Sequence, residues 1–154
     1  VQFLFVGNGP EKKRLIDRKQ AESIENVDFI NPLPKEYIPS LLAQCDIGLL
    51  PLKDSPVFKW GISPNKLYDY MAASLPVAVL CNLEGTPVEK AGGGFVIKNN
   101  FSANLAKVLG STSKDELRLL GKNARIYVEK EHNWNILSEE LEKVMLRDLK
   151  GMSS

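Results

Sequence analysis

The run Gly61-Ile62-Ser63-Pro64-Asn65-Lys66-Leu67-Tyr68-Asp69-Tyr70-Met71-Ala72-Ala73-Ser74-Leu75-Pro76-Val77 decides how the chain is read. It spells a loop, a capped helix and the start of a buried strand. Ser63 is expected as N-cap, and Pro64 as the first helical residue, where its missing N–H is no loss. Good helix formers follow as far as Ser74, and Pro76 disfavours helical geometry in Leu75 before it. Leu67, Met71 and Ser74 share one face at three-to-four spacing, whereas Asn65, Lys66 and Asp69 cluster on another. A helix start carries unpaired N–H groups and positive partial charge, which suits a phosphate. Lys66 adds a full charge, and Asp69 one turn deeper can accept hydrogen bonds from sugar hydroxyls. These residues outline a nucleotide site. The plain structural alternative is an ordinary Ser-Pro helix start with Lys66 and Asp69 as a surface ion pair of small worth.

Working outward, short apolar runs alternate with helical patterns. Val1 to Val6 reads as a buried strand, followed by the turn Gly7-Asn8-Gly9-Pro10 and a helix from Pro10 to about Ser23. Val27 to Ile30 is a second strand, leading into the proline-marked loop Asn31-Pro32-Leu33-Pro34. A helix near Glu36 to Gln44, with Pro39 in its first turn, precedes a third strand, Asp46 to Leu50. The long loop from Pro51 to Ile62 precedes the helix quoted above, and long loops in compact domains are often functional. Pro76 to Leu80 is a fourth strand, Thr86-Pro87 opens a short helix ending in Gly92-Gly93-Gly94, and Phe95 to Ile97 is a fifth strand. Three further helices are expected: Ser102 to Leu109, a capping-box helix from Ser113 to about Lys130, and Trp134 to Leu149. The last carries an apolar stripe of Ile136, Leu137, Leu141, Val144, Met145 and Leu149. Trp134 and Tyr127 are expected in the core, and Gly151 to Ser154 as a frayed tail.

Strand–helix alternation predicts an α/β fold: a Rossmann-like, doubly wound parallel sheet of about five strands with helices on both faces. Such sheets bind ligands beyond the carboxyl ends of their strands. Gly7 to Gly9, Asn31 to Pro34 and Pro51 to Asn65 all belong to that edge.

Composition narrows the function. A length of 154 residues suits one domain, with 44% hydrophobic and 25% charged residues as in ordinary soluble proteins. A net charge of +1 argues against an electrostatically driven nucleic-acid binder. Cys45 and Cys81 lie beside apolar runs and read as small buried hydrophobes, and the lone His132 lacks neighbours for a metal site. Neither a membrane-spanning run nor a signal peptide is visible. The chain opens inside a strand-like run without Met, so a piece of a longer two-domain protein is expected, with residues 1–150 as the folded domain.

Six stretches together resemble the C-terminal, nucleotide-binding half of family 4 (group 1) glycosyltransferases of the GT-B fold. They are the strand ending Val6-Gly7-Asn8-Gly9-Pro10; Val27 to Ile30; Cys45-Asp46-Ile47-Gly48-Leu49-Leu50-Pro51; Ser63-Pro64-Asn65-Lys66-Leu67 running on to Met71-Ala72-Ala73; Pro76-Val77; and Gly93-Gly94-Phe95-Val96. Lys122 to Arg125 and Asn133-Trp134 are similar to the family's closing helices. The resemblance implies that backbone amides near Pro64, Asn65, Lys66 and Leu67 hold a pyrophosphate, together with Ser63 at the cap. It implies that Asp69 binds ribose hydroxyls, that Leu33 meets the base through its backbone, and that Gly7 and Gly9 keep the cleft edge clear. Lys66 is the expected catalytic cation, stabilising the departing nucleoside diphosphate without a metal or other cofactor. Lys59, Trp60, Gly61 and Ile62 form the expected donor-sugar loop, although a plain surface role suits Lys59 and Trp60 equally.

Three departures matter. The family's first glutamate aligns with Gly61, its second is shortened to Asp69, and its usual glycine before Pro76 is Ser74. The implied activity is the donor-binding half of a retaining transferase in polysaccharide biosynthesis. Its partners would be a nucleotide-sugar donor, with UDP favoured, a saccharide or lipid-linked acceptor, and an acceptor-binding N-terminal half. The expected location is the cytoplasm and, for the parent enzyme, the inner face of a membrane; the fragment alone should not turn over substrate. A GT-B-type epimerase half and a non-catalytic binding module are the alternatives. An NAD site is weakly supported, because Lys12 stands where the dinucleotide fingerprint has its third glycine.

Overall fold

The computed structural model describes residues 1–53, 55, 58 and 64–151. The expected sugar loop, Lys59, Trp60, Gly61 and Ile62, and the expected cap Ser63 lie outside the described residues. The chain divides into two compact units, Val1–Leu41 and Leu42–Ser154.

In the first unit, β1 (Phe3–Val6) and β2 (Val27–Ile30) run parallel, with Phe3 opposite Val27 and Val6 opposite Ile30. Helix α1 (Lys12–Ala21) makes the crossover and packs against β2. It begins two residues later than Pro10, because Gly9 and Pro10 are spent on a turn in which the Lys12 N–H bonds the Gly9 carbonyl at 3.1 Å. A 3₁₀ turn (Lys35–Tyr37) then leads into α2 (Ile38–Leu42), which carries Pro39 in its first turn. The expectation that Val1 to Val6 forms a buried strand is corrected: Leu4, Phe5 and Val6 are exposed. Among the described residues β1 pairs with β2 alone, and Phe5 stacks on Phe29 at 5.2 Å.

The second unit holds β3 (Gly48–Pro51), β4 (Val77–Leu80) and β5 (Gly94–Ile97), all parallel in the order β3-β4-β5. Around them run α3 (Asn65–Ala72), α4 (Pro87–Ala91), α5 (Phe101–Ser111), α6 (Lys114–Glu131) and α7 (Trp134–Gly151). All five expected strands exist and all are parallel, but they pair as a two-stranded and a three-stranded sheet. Apolar periodicity marks which segments are strands and is silent on which edges pair.

Leu50, Leu67, Met71, Val77, Val79, Cys81, Val88 and Ala124 form the core of this unit. Valines and alanine dominate β4 because a central parallel strand is covered on both faces. β5 approaches β4 so closely at Gly94 that a Cβ there would overlap the Val77 backbone, and Gly94 adopts φ +152°, which side chains avoid. Thr86 closes a full capping box on α4: its hydroxyl accepts from the Glu89 N–H at 3.2 Å, and its own N–H donates to the Glu89 carboxylate at 2.9 Å. Ser113 caps α6 in the expected position, accepting from the Glu116 N–H at 3.2 Å.

Two core assignments need correction. Trp134 is 86% exposed at the first residue of α7, and Leu137, Leu141, Val144 and Met145 on the expected stripe also face solvent. Cys81 is buried as expected, Cys45 only half so, and neither forms a disulfide. The helix α7 includes Gly151, which had been assigned to the tail.

Candidate functional site

The candidate site is the start of α3, reached from the carboxyl end of β3 through residues 52–64. Leu67 and Met71 are fully buried in the core, which turns Asn65, Lys66 and Asp69 outward into solvent. The far end of the helix is anchored. The Ala73 N–H bonds the Asp69 carbonyl at 3.0 Å, the Ser74 N–H bonds the Met71 carbonyl at 3.0 Å, and the Leu75 N–H bonds the Tyr70 carbonyl at 3.0 Å. Ser74 takes the left-handed conformation, φ +58°, that a helix end prefers to fill with glycine. Ser74 is exposed and does not join the buried face expected for it, because the chain has already left the helix there. Arg125 of α6 donates to the Ala72 carbonyl and pairs with Glu129 at 2.6 Å, a cation placed where the helix dipole favours one. Tyr70 lies over Gly48, where a Cβ would meet its ring at 2.5 Å, so the glycine lets α3 settle on β3.

At the start of α3, Pro64 is the residue before the helix, extended at φ −74° and ψ 128°, and not the first helical residue. Its carbonyl accepts the Leu67 N–H at 2.9 Å. Of the stretch from Pro64 to Leu67 near which the pyrophosphate amides are expected, Pro64 itself has no N–H, and the Leu67 N–H is bonded inside the turn with the whole residue buried. Helix geometry leaves the N–H groups of Asn65 and Lys66 without intrahelical acceptors. Among the described residues neither Lys66 nor Asp69 is in an ion pair, so the surface-pair alternative is not realised. The Asp69 charge is felt at Tyr70, whose phenol is pushed above its ordinary pKa first by burial and then by Cys45 and Asp69.

In the first unit, Gly7 (φ +137°) and Gly9 border open space: a Cβ on either would meet nothing within 4 Å. Leu33 is exposed in the segment after β2. The Lys12 ammonium donates to the Gly7 carbonyl at 3.0 Å, the Ile30 carbonyl at 3.0 Å and Asn31 Oδ1 at 3.1 Å. No sequence pattern announced that clamp beyond the presence of Lys12 in place of a glycine.

Among the described residues, Asn65, Lys66 and Asp69 line neither of two cavities in the second unit. One of about 190 Å³ lies between Lys90, Asn123, Tyr127 and Glu131. The other, about 230 Å³, is bounded by Phe58, Tyr68, Leu83, Thr86 and His132. The His132 ring packs on Tyr68 at 4.5 Å and Tyr127 at 5.4 Å, an aromatic cluster absent from the sequence reading. Among the described residues no group of three or more His, Cys, Asp or Glu is arranged to hold a metal.

The fold and the sequence as a whole match known proteins. Over 97% of the chain and 39% of the other, it superposes on sucrose-phosphate synthase from Thermosynechococcus elongatus with TM-score 0.70 and 17% identity, a likeness of GT-B fold. It is 28% identical over 152 residues to TuaH of Bacillus subtilis (strain 168), named as a teichuronic acid biosynthesis glycosyltransferase, covering 92% of this chain and 35% of that one. It is likewise 28% identical over 152 residues to WcaL of Escherichia coli (strain K12), named for colanic acid biosynthesis, covering 94% and 37%. The chain therefore spans little more than a third of the length of these relatives. A family profile described as "Glycosyl transferases group 1" matches residues 1–115, most of the chain and all five strands. The chain belongs to the group 1 glycosyltransferases.

Proposed function

We propose that the chain is the donor-binding half of a retaining glycosyltransferase that takes a nucleotide-sugar, with UDP as the favoured nucleoside diphosphate. The observation that supports this reading is the start of α3, where helix geometry leaves the Asn65 and Lys66 N–H groups without intrahelical acceptors and Lys66 is exposed beside fully buried Leu67 and Met71. The amides of Asn65 and Lys66 take the diphosphate, Lys66 neutralises charge that develops on the departing nucleoside diphosphate, and Asp69 accepts from ribose hydroxyls. Leu33 is assigned to the base, Gly7 and Gly9 to the clear edge of the cleft, and Ser63 and the loop from Lys59 to Ile62 to the cap and the donor sugar. The partner missing from this chain is an acceptor-binding half, and the acceptor is a saccharide or lipid-linked saccharide, in keeping with relatives named for polysaccharide biosynthesis. The parent enzyme is proposed to work in the cytoplasm at the inner face of a membrane. Among the described residues no helix is long and apolar enough to cross one.

Calorimetric titration of the chain with UDP, GDP and ADP tests the reading. One nucleoside diphosphate binds wild type, and Asp69→Asn and Lys66→Met each weaken it by about tenfold, the scale of one lost charge-assisted hydrogen bond. Equal affinity in wild type and both variants would overturn the assignment.

A further inference from the structure

The ammonium of Lys12 has three N–H donors, and all three are committed: to the carbonyl just past β1, to the last carbonyl of β2, and to the side chain of Asn31. The Ile30 carbonyl it contacts also accepts the Gly7 N–H at 3.3 Å, so Lys12 seals the end of the β1–β2 ladder. A saturated ammonium is not a free anion receptor. With its donors spent on Gly7, Ile30 and Asn31, it has none left for a phosphate at the Gly7 turn. What it does instead is fix the spacing between the Gly7-Asn8-Gly9 turn and the segment Asn31 to Pro34. We infer that Lys12 is a positioning residue for base recognition: through Asn31 it holds the Leu33 backbone in the one arrangement that distinguishes bases, without touching the nucleotide. This rests on the donor-site reading above, in which Leu33 meets the base.

The test separates base reading from fold and from diphosphate binding. Affinities for UDP, GDP, ADP and inorganic pyrophosphate are measured for wild type, Lys12→Met, Asn31→Ala and Asn31→Asp, each checked for folding by circular dichroism. The inference predicts that Lys12→Met lowers the preference for the favoured base by about tenfold while pyrophosphate affinity stays within about twofold of wild type. Asn31→Ala should show the same change in smaller measure, and Asn31→Asp, whose carboxylate still accepts from Lys12, should restore the preference. A purely structural lysine would alter unfolding and leave the ratio of affinities untouched. Should Lys12→Met fail to fold, the Asn31 pair decides alone. An unchanged base preference in Lys12→Met and Asn31→Ala overturns the inference and leaves the donor-site reading standing. A wild-type chain that binds pyrophosphate and all three nucleotides equally also overturns it. No binding of any of the four overturns both.

Discussion

Gly121 sits in the middle of α6, a position where glycine ordinarily weakens a helix, and Gly121→Ala should nevertheless destabilise the protein. A Cβ built there overlaps the Ser74 carbonyl oxygen and lies 2.9 Å from the Ser74 carbonyl carbon and 3.2 Å from Pro76 Cδ. The obstructing atoms are backbone, in the left-handed turn that ends α3, so no side chain can swing aside. Overpacking of a tight site costs about 1–3 kcal/mol, and the backbone obstacle puts this case near about 3. The gain in helix propensity from glycine to alanine returns about 1 kcal/mol, leaving a net loss of about 2 kcal/mol. At about 2–4 °C per kcal/mol for a chain of this length, the melting temperature should fall by about 4–8 °C. Gly110→Ala in α5 is the control, because a Cβ there meets nothing within 4 Å and the change should be neutral or raise stability by up to about 1 kcal/mol. Thermal and urea unfolding followed by circular dichroism give both values. A Gly121→Ala variant as stable as wild type would refute the close packing of α6 on the end of α3, and with it the mechanical support assigned to the site.

Thr86→Ala should cost about 1 kcal/mol by opening the capping box of α4, whereas Thr86→Ser keeps the accepting oxygen and most of the stability, both read from urea midpoints. Tyr70 supplies a pH test. Its folded pKa is raised above 10.0, so from about pH 10 upward the folded state keeps a proton that the unfolded chain has lost, and stability should fall as pH rises through that window. Tyr70→Phe should make the fall shallower without abolishing it, since burial also raises Cys45 and Tyr127. Urea midpoints measured from about pH 8 to pH 11 decide it, and identical slopes in wild type and variant would contradict the placement of Tyr70.

What the sequence made legible was local. Val, Ile and Phe runs bounded by Gly and Pro located every strand to within a residue or two, and three-to-four spacing found the buried face of α3 at Leu67 and Met71. The solvent face of α3 was legible too, since Asn65, Lys66 and Asp69 are exposed as their spacing from Leu67 and Met71 requires. Burial that depends on distant partners was not. The run Val1 to Val6 has core composition, yet among the described residues β1 pairs with β2 alone and Leu4, Phe5 and Val6 are exposed; Trp134 has the size of a core residue, yet begins a helix on which Leu137, Leu141, Val144 and Met145 face solvent. Close approaches were equally hidden: Gly121 against Ser74, Arg125 on Ala72 and Lys12 on Ile30 join residues far apart in sequence, and no period or spacing encodes them. That the Leu67 N–H closes onto the Pro64 carbonyl was not legible either, because it depends on the turn that precedes the helix.

The most direct measurement is an amide-resolved NMR titration of the ¹⁵N-labelled chain with UDP. Donor binding at the start of α3 predicts saturable shifts of the Asn65 and Lys66 amides whose midpoint moves to about tenfold higher UDP in Lys66→Met, with the Leu67 amide moving less because it is already bonded to Pro64. Saturable shifts confined to the cavity bounded by Tyr68, Thr86 and His132, with Asn65 and Lys66 unmoved, would contradict the central claim.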